Sequence, residues 1–180
     1  MVFWVACATV VVTATNLIAF RTALDAQFQQ LRQTLMAIAA TGVLHIDGDA
    51  HQRIPPDSSS VTLEAYRALL DDLRAIRNAN PNLVYVYTLT PSEVPGQWRF
   101  VGDAEEKNPS LPGDLYDAAR YPAMLAGLEG PSADPKLTVD EWGVVLSGYA
   151  PIRNREGHVV GVLGIEIAGA QVARTQAALH

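Results

Sequence analysis

The stretch from Trp142 to Glu166 decides the fold; it reads WGVVLSGYAPIRNREGHVVGVLGIE. Apolar and β-branched residues on both sides of a polar centre predict one strand over 144–152 and another over 158–168. Pro151 lacks a backbone N–H and marks the end of the first strand. The residues 154–157 are typical of a turn, and their final glycine adopts a positive φ without steric cost. We therefore expect an antiparallel hairpin.

A second hairpin is predicted earlier in the chain. Residues 83–90 read LVYVYTLT, and residues 98–103 read WRFVGD. Both segments are rich in β-branched and aromatic residues, and the segment between them contains turn residues. Two consecutive hairpins indicate an antiparallel sheet with helices packed on one face.

Helices are predicted around these strands. Residues 21–44 carry apolar side chains at spacings of three and four, which predicts a long helix, and residues 61–79 predict a second one. Residues 45–60, 104–113 and 130–135 are predicted loops. Residues 115–128 are predicted to form a short helix broken at Pro122, and 169–180 the start of a C-terminal helix. The fold class is therefore α+β, with a domain over 21–168 whose sheet occupies 83–168.

The first twenty residues predict a transmembrane helix. Residues 2–20 are 19 residues without a charge, enough to cross a bilayer core of roughly 30 Å. The segment is less suited to a cleaved signal peptide, because no basic residues precede its apolar run. It is also less suited to a buried core helix, because it is apolar on all faces. Arg21 and Arg32 follow the segment, and no lysine or arginine precedes it. The positive-inside rule alone would therefore place the domain in the cytoplasm.

Composition excludes several function classes. The net charge of −6 and the pI of about 5.1 argue against a nucleic-acid surface, which needs clustered lysine and arginine. Cys7 is the single cysteine, so the sequence offers neither an intrachain disulfide nor a cysteine-based metal site. No cofactor motif is recognised.

The two hairpins resemble the single Cache sensor domains (PAS-like, PDC-type) of bacterial membrane receptors. The later hairpin carries WG at 142–143, SGYAPI at 147–152 and GHVVGVLGIE at 157–166, close to the family pattern, with Glu166 where an aspartate is common. The earlier hairpin carries YVYTL at 85–89 and FVGDA at 100–104. The resemblance covers residue 21 to the end.

The resemblance implies a PAS-like central antiparallel sheet with a long N-terminal helix packed on it and a pocket on one sheet face. It implies extracytoplasmic sensing of a small molecule, such as a carboxylate or an amino acid, by a signal-transduction receptor of the histidine kinase, cyclase, diguanylate cyclase or chemoreceptor type. It further implies a bacterial inner-membrane protein with a second membrane helix and a downstream output module. The apolar stripe of the helix 21–44 could serve the domain core, a dimer partner or both, and we expect a homodimer through it. The absence of enzyme motifs leads us to expect that this chain is not itself an enzyme.

Eight residues are candidate ligand contacts: Tyr85, Tyr87, Arg99, Asp103, Tyr116, Trp142, Ser147 and Tyr149. Alternation places Tyr85 and Tyr87 on one strand face, where they would hold a polar ligand or form a core pair. Arg99 offers a fork for an acid or lies at the surface.

The other candidates have alternatives as well. Asp103 would bind an amine or cap the following loop. Tyr116 would belong to an aromatic lid together with Asp117 and Tyr121, although Tyr121 with Pro122 could equally anchor a turn. Trp142 is core or pocket wall, while Ser147 and Tyr149 share a strand face. Glu166 needs a partner if it is buried, and Arg99 is a candidate.

Two chemical alternatives are disfavoured. His45, Asp47, Asp49 and His51 could supply metal ligands, but the spacing does not match a calcium loop and a solvated loop is the simpler interpretation. The sequence contains no nucleophile-elbow, Walker or zinc-protease motif. A catalytic triad of Ser147, His158 and an acid is disfavoured, because the two residues lie on neighbouring strands of one hairpin without a nucleophile elbow. Three functions remain open: a ligand-binding sensor, a non-binding dimerisation or spacer domain, and an extracytoplasmic hydrolase.

Overall fold

The computed structural model describes residues 2–140 and 143–177. The helices are α1 (Val2–Gly42), α2 (Gly48–His51), α3 (Glu64–Ala79), α4 (Pro122–Ala126) and α5 (Gly169–Ala177), with short 3₁₀ turns at Val43–His45, Ser58–Thr62 and Ala118–Arg120. The strands are β1 (Leu83–Pro91), β2 (Gln97–Asp103), β3 (Leu115–Asp117), β4 (Ser132–Ala133), β5 (Thr138–Asp140), β6 (Gly143–Arg153) and β7 (Val159–Ala168).

All described strands form one antiparallel sheet in the order β3-β2-β1-β7-β6-β4, with β5 also paired to β6. The two predicted hairpins are present, and the pairing of β1 with β7 joins them at the centre of the sheet. Gly157 has a φ of 84°, as expected for the β6–β7 turn.

Helices α1 and α3 cover one face of the sheet, here called the helix face. Its buried core includes Leu35 and Ala39 of α1 and Leu73 of α3, packed with Leu163 and Ile165 of β7. The absence of a side chain at Gly148 of β6 allows the α1 backbone to approach: an added Cβ would lie 2.8 Å from the Leu35 Cβ and 3.0 Å from its carbonyl carbon. The predicted packing of a long N-terminal helix on the sheet is thus confirmed.

The opposite face, here called the cleft face, is covered by the segment 118–128 and the loop 104–114. Met124 of α4, which belongs to this cover, and Tyr149 of β6 beneath it are both fully buried. The approach is close, because a Cβ at Gly127 would lie 2.7 Å from the Tyr149 Cβ. The described sheet is therefore buried on both sides, by helices on one face and by irregular chain on the other.

A β-bulge in β2 changes which side chains share a face. Thr88 pairs with Gly102 and the next residue, Leu89, pairs with Phe100, so Val101 is the extra residue. Val101 therefore packs in the helix-face core, while Phe100 packs on the cleft face. Asp103, three residues beyond Phe100, lies on the cleft face too.

Several predicted boundaries differ from the structure. The helix predicted over 21–44 is part of α1, which is continuous from Val2 to Gly42, and the helix predicted over 61–79 begins at Glu64. Part of the predicted helix 115–128 is the edge strand β3, because Leu115–Asp117 pair with β2. Residues 130–135, predicted as a loop, contain β4, which pairs with β6.

The predicted loop 45–60 contains α2. The Asp47 carboxylate accepts hydrogen bonds from the backbone N–H groups of Asp49 and Ala50 at 2.9 and 3.0 Å and so caps this helix. Gly48 docks the helix on the end of β6, because a Cβ there would lie 2.2 Å from the Arg153 carbonyl oxygen.

Within the residues that the structure describes, no helix has the length and apolar character needed to cross a membrane. The transmembrane helix predicted over 1–20 is therefore not confirmed. It lies partly outside the described residues.

Candidate functional site

A cleft opens on the cleft face between β1, β2, β3, β7 and the loop 104–114. Its lining is aromatic and acidic, and consists of Tyr85, Tyr87, Phe100, Asp103, Glu105, Asn108, Ser110, Tyr116 and Glu166. Four of the eight predicted contacts, Tyr85, Tyr87, Asp103 and Tyr116, thus come together in one place. The lining contains three carboxyl groups and neither lysine nor arginine.

Glu166 and Tyr87 form the floor of this cleft. The Tyr87 hydroxyl donates a hydrogen bond of 2.6 Å to Glu166 Oε1, although the two residues lie 79 positions apart in the sequence. Burial, together with the neighbouring Glu166, raises the pKa of the Tyr87 hydroxyl well above its usual value. Tyr87 therefore remains a protonated donor at neutral pH.

Packed rings form the aromatic wall. The ring centroids of Tyr87 and Phe100 are 5.6 Å apart, and Tyr116 meets Phe100 edge to face at 5.8 Å. Tyr121 stacks on Tyr116 at 5.3 Å. Aromatic pairs in such geometries are favourable, and their π faces attract cations.

Asp103 ends β2 and organises the loop that follows it. Its two carboxylate oxygens accept hydrogen bonds from the backbone N–H groups of Glu105 and Ser110, at 2.9 and 2.8 Å. Burial raises the pKa of Asp103, and the two backbone donors partly offset this effect. The sequence-based alternative of a loop cap is therefore present, on a side chain that also lines the cleft.

The cleft is narrow in this conformation. It holds about 370 Å³ of space between atoms including its open mouth, but the centre of a water-sized sphere can occupy only about 30 Å³. One buried water needs about 10–15 Å³ of space for its centre, so the cleft in this conformation accommodates a few water molecules at most. An amino-acid-sized ligand would require movement of the covering segments.

Ser147 and Tyr149 lie behind the cleft and do not line it. The Ser147 hydroxyl is 3.3 Å from Glu166 Oε1, and the Tyr149 hydroxyl is within hydrogen-bonding reach of Ser147 and Tyr87. Ser147 and Tyr149 are each 1% exposed. They support the cleft floor from within the sheet.

The structure places Arg99 away from the cleft. Its guanidinium donates to the Gly113 carbonyl oxygen at 3.3 Å, and it lines a separate groove that also includes His51, Thr90 and Val101. Buried Glu166 accepts hydrogen bonds from Tyr87 and Ser147, whereas Arg99, the candidate partner from sequence, lies in the other groove. Trp142, the remaining predicted contact, lies outside the described residues.

Sequence reasoning did not include four lining residues, Phe100, Glu105, Asn108 and Ser110, and it considered Glu166 only as a buried acid. Alternation along β7 places Glu166 on the same face as Gly164, whose missing side chain leaves room for Tyr87: a Cβ there would lie 2.4 Å from the Tyr87 ring. An acidic residue two positions from a glycine, on the same face of a central strand, was thus the sequence signal that could have indicated a site residue at Glu166.

The segment with two histidines and two aspartates does not form a metal site. Asp47 caps α2, and Asp49 forms an ion pair with Arg155 at 3.1 Å. His51 is buried against the sheet, and burial lowers its pKa to about 4. The described part of the chain contains no cluster of three or more histidine, cysteine or acidic residues that could hold a metal ion.

Several solved structures with this architecture are ligand-binding or sensor domains of bacterial proteins. The chain aligns over 92% of its length with the ligand-binding domain of the Campylobacter jejuni chemoreceptor Tlp3 in complex with L-valine, at 17% identity and a TM-score of 0.59. It aligns over 83% with the Escherichia coli DcuS sensor domain, at 16% identity and a TM-score of 0.55, and spans 96% of that domain.

The Pseudomonas aeruginosa amino acid chemoreceptor PctC in complex with GABA aligns over 91% of this chain and 67% of its own, at 15% identity and a TM-score of 0.53. The fold is that of a Cache-like sensor domain. The chain spans 63% of the Tlp3 domain that it matches. No family model and no curated protein sequence matches this chain.

Proposed function

We propose that this chain contains the extracytoplasmic ligand-binding domain of a bacterial membrane receptor, and that the domain binds a small molecule carrying an ammonium group in the cleft. One observation carries the proposal: three carboxyl groups and several aromatic rings line a cleft without lysine or arginine. An ammonium group bound in this cleft would compensate the negative charge of its acidic lining, in particular of the buried Asp103 and Glu166.

The chemistry of the lining favours an amine over a simple carboxylate. Asp103 and Glu166 offer acceptors for an ammonium group, and the faces of Tyr85 and Tyr116 suit a cation. Arg99, the predicted fork for an acid, lies in another groove. An amino acid remains compatible, provided that backbone N–H groups or tyrosine hydroxyls hold its carboxylate.

The fold comparisons are consistent with this ligand class. Valine and GABA, the ligands bound in two structures with the same fold, each carry an ammonium group. At 15–17% identity the comparisons support the architecture, while the ligand proposal depends on the side chains of this chain.

A receptor also requires a route to the membrane. We propose that residues 1–20 anchor the domain in the inner membrane, that α1 contributes to a homodimer, and that α5 leads to an output module. Helix α1 supports this arrangement because it is continuous from the predicted anchor to the sheet.

The hydrolase alternative is disfavoured by geometry. Ser147 pairs with Glu166 in the strand register, while His158 lies eight residues before Glu166 along β7. At about 3.3 Å per residue this places His158 about 26 Å from the position opposite Ser147. His158 is also an exposed residue whose Nδ1 lies 3.3 Å from Glu156.

A non-binding spacer domain is the second candidate, and the narrow cleft favours it. The aromatic side chains of Tyr87 and Tyr149 are buried without a ligand, as a self-filled pocket would require. This hypothesis predicts that no small molecule stabilises the domain.

Calorimetric titration distinguishes the two candidates. We expect saturable binding of at least one compound from a panel of amino acids and primary amines, and no binding of the matched compounds in which the amine is replaced by hydroxyl. Binding should stabilise the folded domain by RT ln(1 + [L]/Kd), which thermal unfolding detects independently.

Variants locate the binding site. Glu166→Gln and Asp103→Asn should each weaken binding at least tenfold, because a charge-assisted hydrogen bond is lost. Glu93→Gln, an exposed change outside the cleft lining, should leave affinity unchanged. Equal loss in all three variants, or the absence of any ligand across the panel, would overturn the proposal in favour of the spacer.

A further inference from the structure

We propose that Ser147 is a positioning residue that couples the cleft carboxyl group of Glu166 to Asp134 and, through Arg32, to helix α1. This inference rests on the proposed function, since it describes how occupancy of the cleft reaches the helix that leads to the predicted anchor. The coupling runs through three consecutive contacts, from Glu166 to Ser147, from Ser147 to Asp134 and from Asp134 to Arg32, and each is made by a buried or half-buried group.

The first contact joins the cleft to β6. Ser147 and Glu166 are directly opposite each other in the β6–β7 register, and the Ser147 hydroxyl lies 3.3 Å from Glu166 Oε1. The same oxygen accepts the hydrogen bond from Tyr87 at 2.6 Å. Glu166 is 3% exposed, so a change in its charge affects both of these donors.

The second contact makes Ser147 a shared donor. The Asp134 carboxyl group lies within reach of the Ser147 hydroxyl, and Asp134 Oδ2 accepts a hydrogen bond from the Ser147 backbone N–H at 3.3 Å. A serine hydroxyl has a single proton, so it donates to only one carboxyl group at a time. Asp134 is 2% exposed, which means that the carboxyl group without this donor loses an interaction that water does not readily replace.

The Ser147 hydroxyl therefore has several possible acceptors, and two of them, Glu166 and Asp134, lie on opposite sides of β6; the Tyr149 hydroxyl is also within reach. The two arrangements that matter here are donation to Glu166 and donation to Asp134. An ammonium ligand at Glu166 supplies that carboxylate with new donors. It thus favours the arrangement in which Ser147 donates to Asp134. Two discrete arrangements of a buried polar group are the kind of element through which binding shifts a population.

The last contacts join Asp134 to α1. Arg32 donates from Nε to the Asp134 carbonyl oxygen at 2.7 Å and from Nη2 to the Ala133 carbonyl oxygen at 3.0 Å. One turn further along α1, Leu35 packs directly on Gly148, the residue after Ser147. Movement of the residues 133–134 or of β6 is therefore transmitted to α1 by both a charged clamp and a tight backbone contact.

The first test measures coupling in the absence of any ligand. Urea unfolding of Glu166→Gln, Asp134→Asn and the double variant gives a coupling between the two carboxyl groups. We expect about tenfold in the unfolding equilibrium constant, falling to within twofold when the same cycle is repeated in Ser147→Ala. Direct repulsion between the carboxyl groups would persist without the hydroxyl, so coupling that survives in Ser147→Ala would overturn the proposal.

Two matched variants guard against general effects on folding. Ser147→Thr retains the hydroxyl and should retain the coupling. Ser60→Ala removes another fully buried serine hydroxyl, which donates to the Pro55 carbonyl oxygen, and should leave the coupling intact. Loss of coupling in Ser60→Ala, or failure of Ser147→Thr to restore it, would assign the effect to general destabilisation and overturn the proposal.

The second test follows α1 by amide hydrogen exchange. Glu166→Gln imitates a neutralised cleft and should change exchange over residues 29–38 at least threefold, and this change should vanish in Ser147→Ala. Arg32→Lys, which keeps the charge but loses the planar fork, should abolish it as well. An equal response in all backgrounds would contradict the proposal.

Neither test uses a ligand, so a domain that binds no amine would fail the titrations described above while these measurements remain decisive.

Discussion

The two faces of the sheet differ sharply although they are built from alternate residues of the same strands. On the helix face, β7 contributes Leu163 and Ile165 to an apolar core. On the cleft face, the same strand contributes Gly164 and Glu166, one leaving space for an aromatic ring and the other a buried carboxyl group. The helix face is packed mainly with aliphatic side chains, whereas the cleft face combines a packed aromatic cluster with buried polar groups that need specific partners.

This difference explains how one small domain combines stability with a ligand site. Filling a core with apolar side chains provides most of the folding free energy, whereas a half-satisfied polar cluster adds little. The helix face also carries α1, so the stable layer is the one from which a signal would leave. The cleft face is covered by loop and short helix, which are the parts of a fold that move most easily.

The largest effect should come from a cavity in the helix face. Leu73→Ala removes a fully buried side chain between α3 and the sheet and should lower the free energy of unfolding by about 3 kcal/mol. Urea denaturation measures this change, and the exposed Leu111→Ala should cost less than about 0.5 kcal/mol. Similar losses in the two variants would contradict the assignment of the core.

Acid should weaken the domain through His51. Burial lowers the pKa of His51 from 6.5 to about 4, so the unfolded chain binds the proton more readily. Stability is therefore lost as the pH falls from about 6.5 to about 4, by about 3 kcal/mol in total. His51→Leu should remove this part of the pH dependence, measured by urea denaturation at several pH values, whereas Leu73→Ala should shift the curve without changing its slope.

A smaller effect is expected from a hydroxyl on the cleft face. Tyr87→Phe keeps the ring but deprives Glu166 of its 2.6 Å hydrogen bond, which should cost about 1–2 kcal/mol. Tyr66→Phe is the matched change on the helix face, where the described residues offer the hydroxyl no hydrogen bond. Thermal unfolding should leave Tyr66→Phe close to the parent protein; a reversed order would refute the contrast between the faces.

The smallest effect concerns the pH dependence of ligand affinity. Burial raises the pKa of Asp103, and a cationic ligand prefers the ionised carboxylate. Affinity for an amine should therefore fall as the pH is lowered through this raised pKa, by at most about tenfold per pH unit, or about 1.4 kcal/mol. In Asp103→Asn, titrations across pH should show a flatter profile, and an unchanged profile would exclude Asp103 from the site.

Local patterns predicted much of this molecule. The strands of both hairpins, the turn at 154–157 and the shared face of Tyr85 and Tyr87 follow from side-chain periodicity and turn chemistry, and all are present in the structure. Residues 115–128 were harder, because Leu115–Asp117 become a strand only by pairing with β2. A three-residue segment has too little periodicity to reveal its state.

The cleft was predicted in part. Two residues of β2 illustrate the limit, since simple alternation places Arg99 and Asp103 on one face. The bulge at Val101 separates them, so that Asp103 enters the cleft and Arg99 does not. A bulge depends on the register between β1 and β2, which neither strand encodes by itself.

The sequence alone determined the α+β class, the two hairpins and the tyrosine-rich face of β1, because residue preferences and alternation act over neighbouring positions. Only the tertiary structure decided that Tyr87 meets Glu166 across 79 residues and that Ser147 lies between Glu166 and Asp134. These side-chain contacts depend on the pairing of β1 with β7 and of β6 with β4 and β7. Pairing between distant strands is selected by packing of the whole sheet, for which no local pattern substitutes.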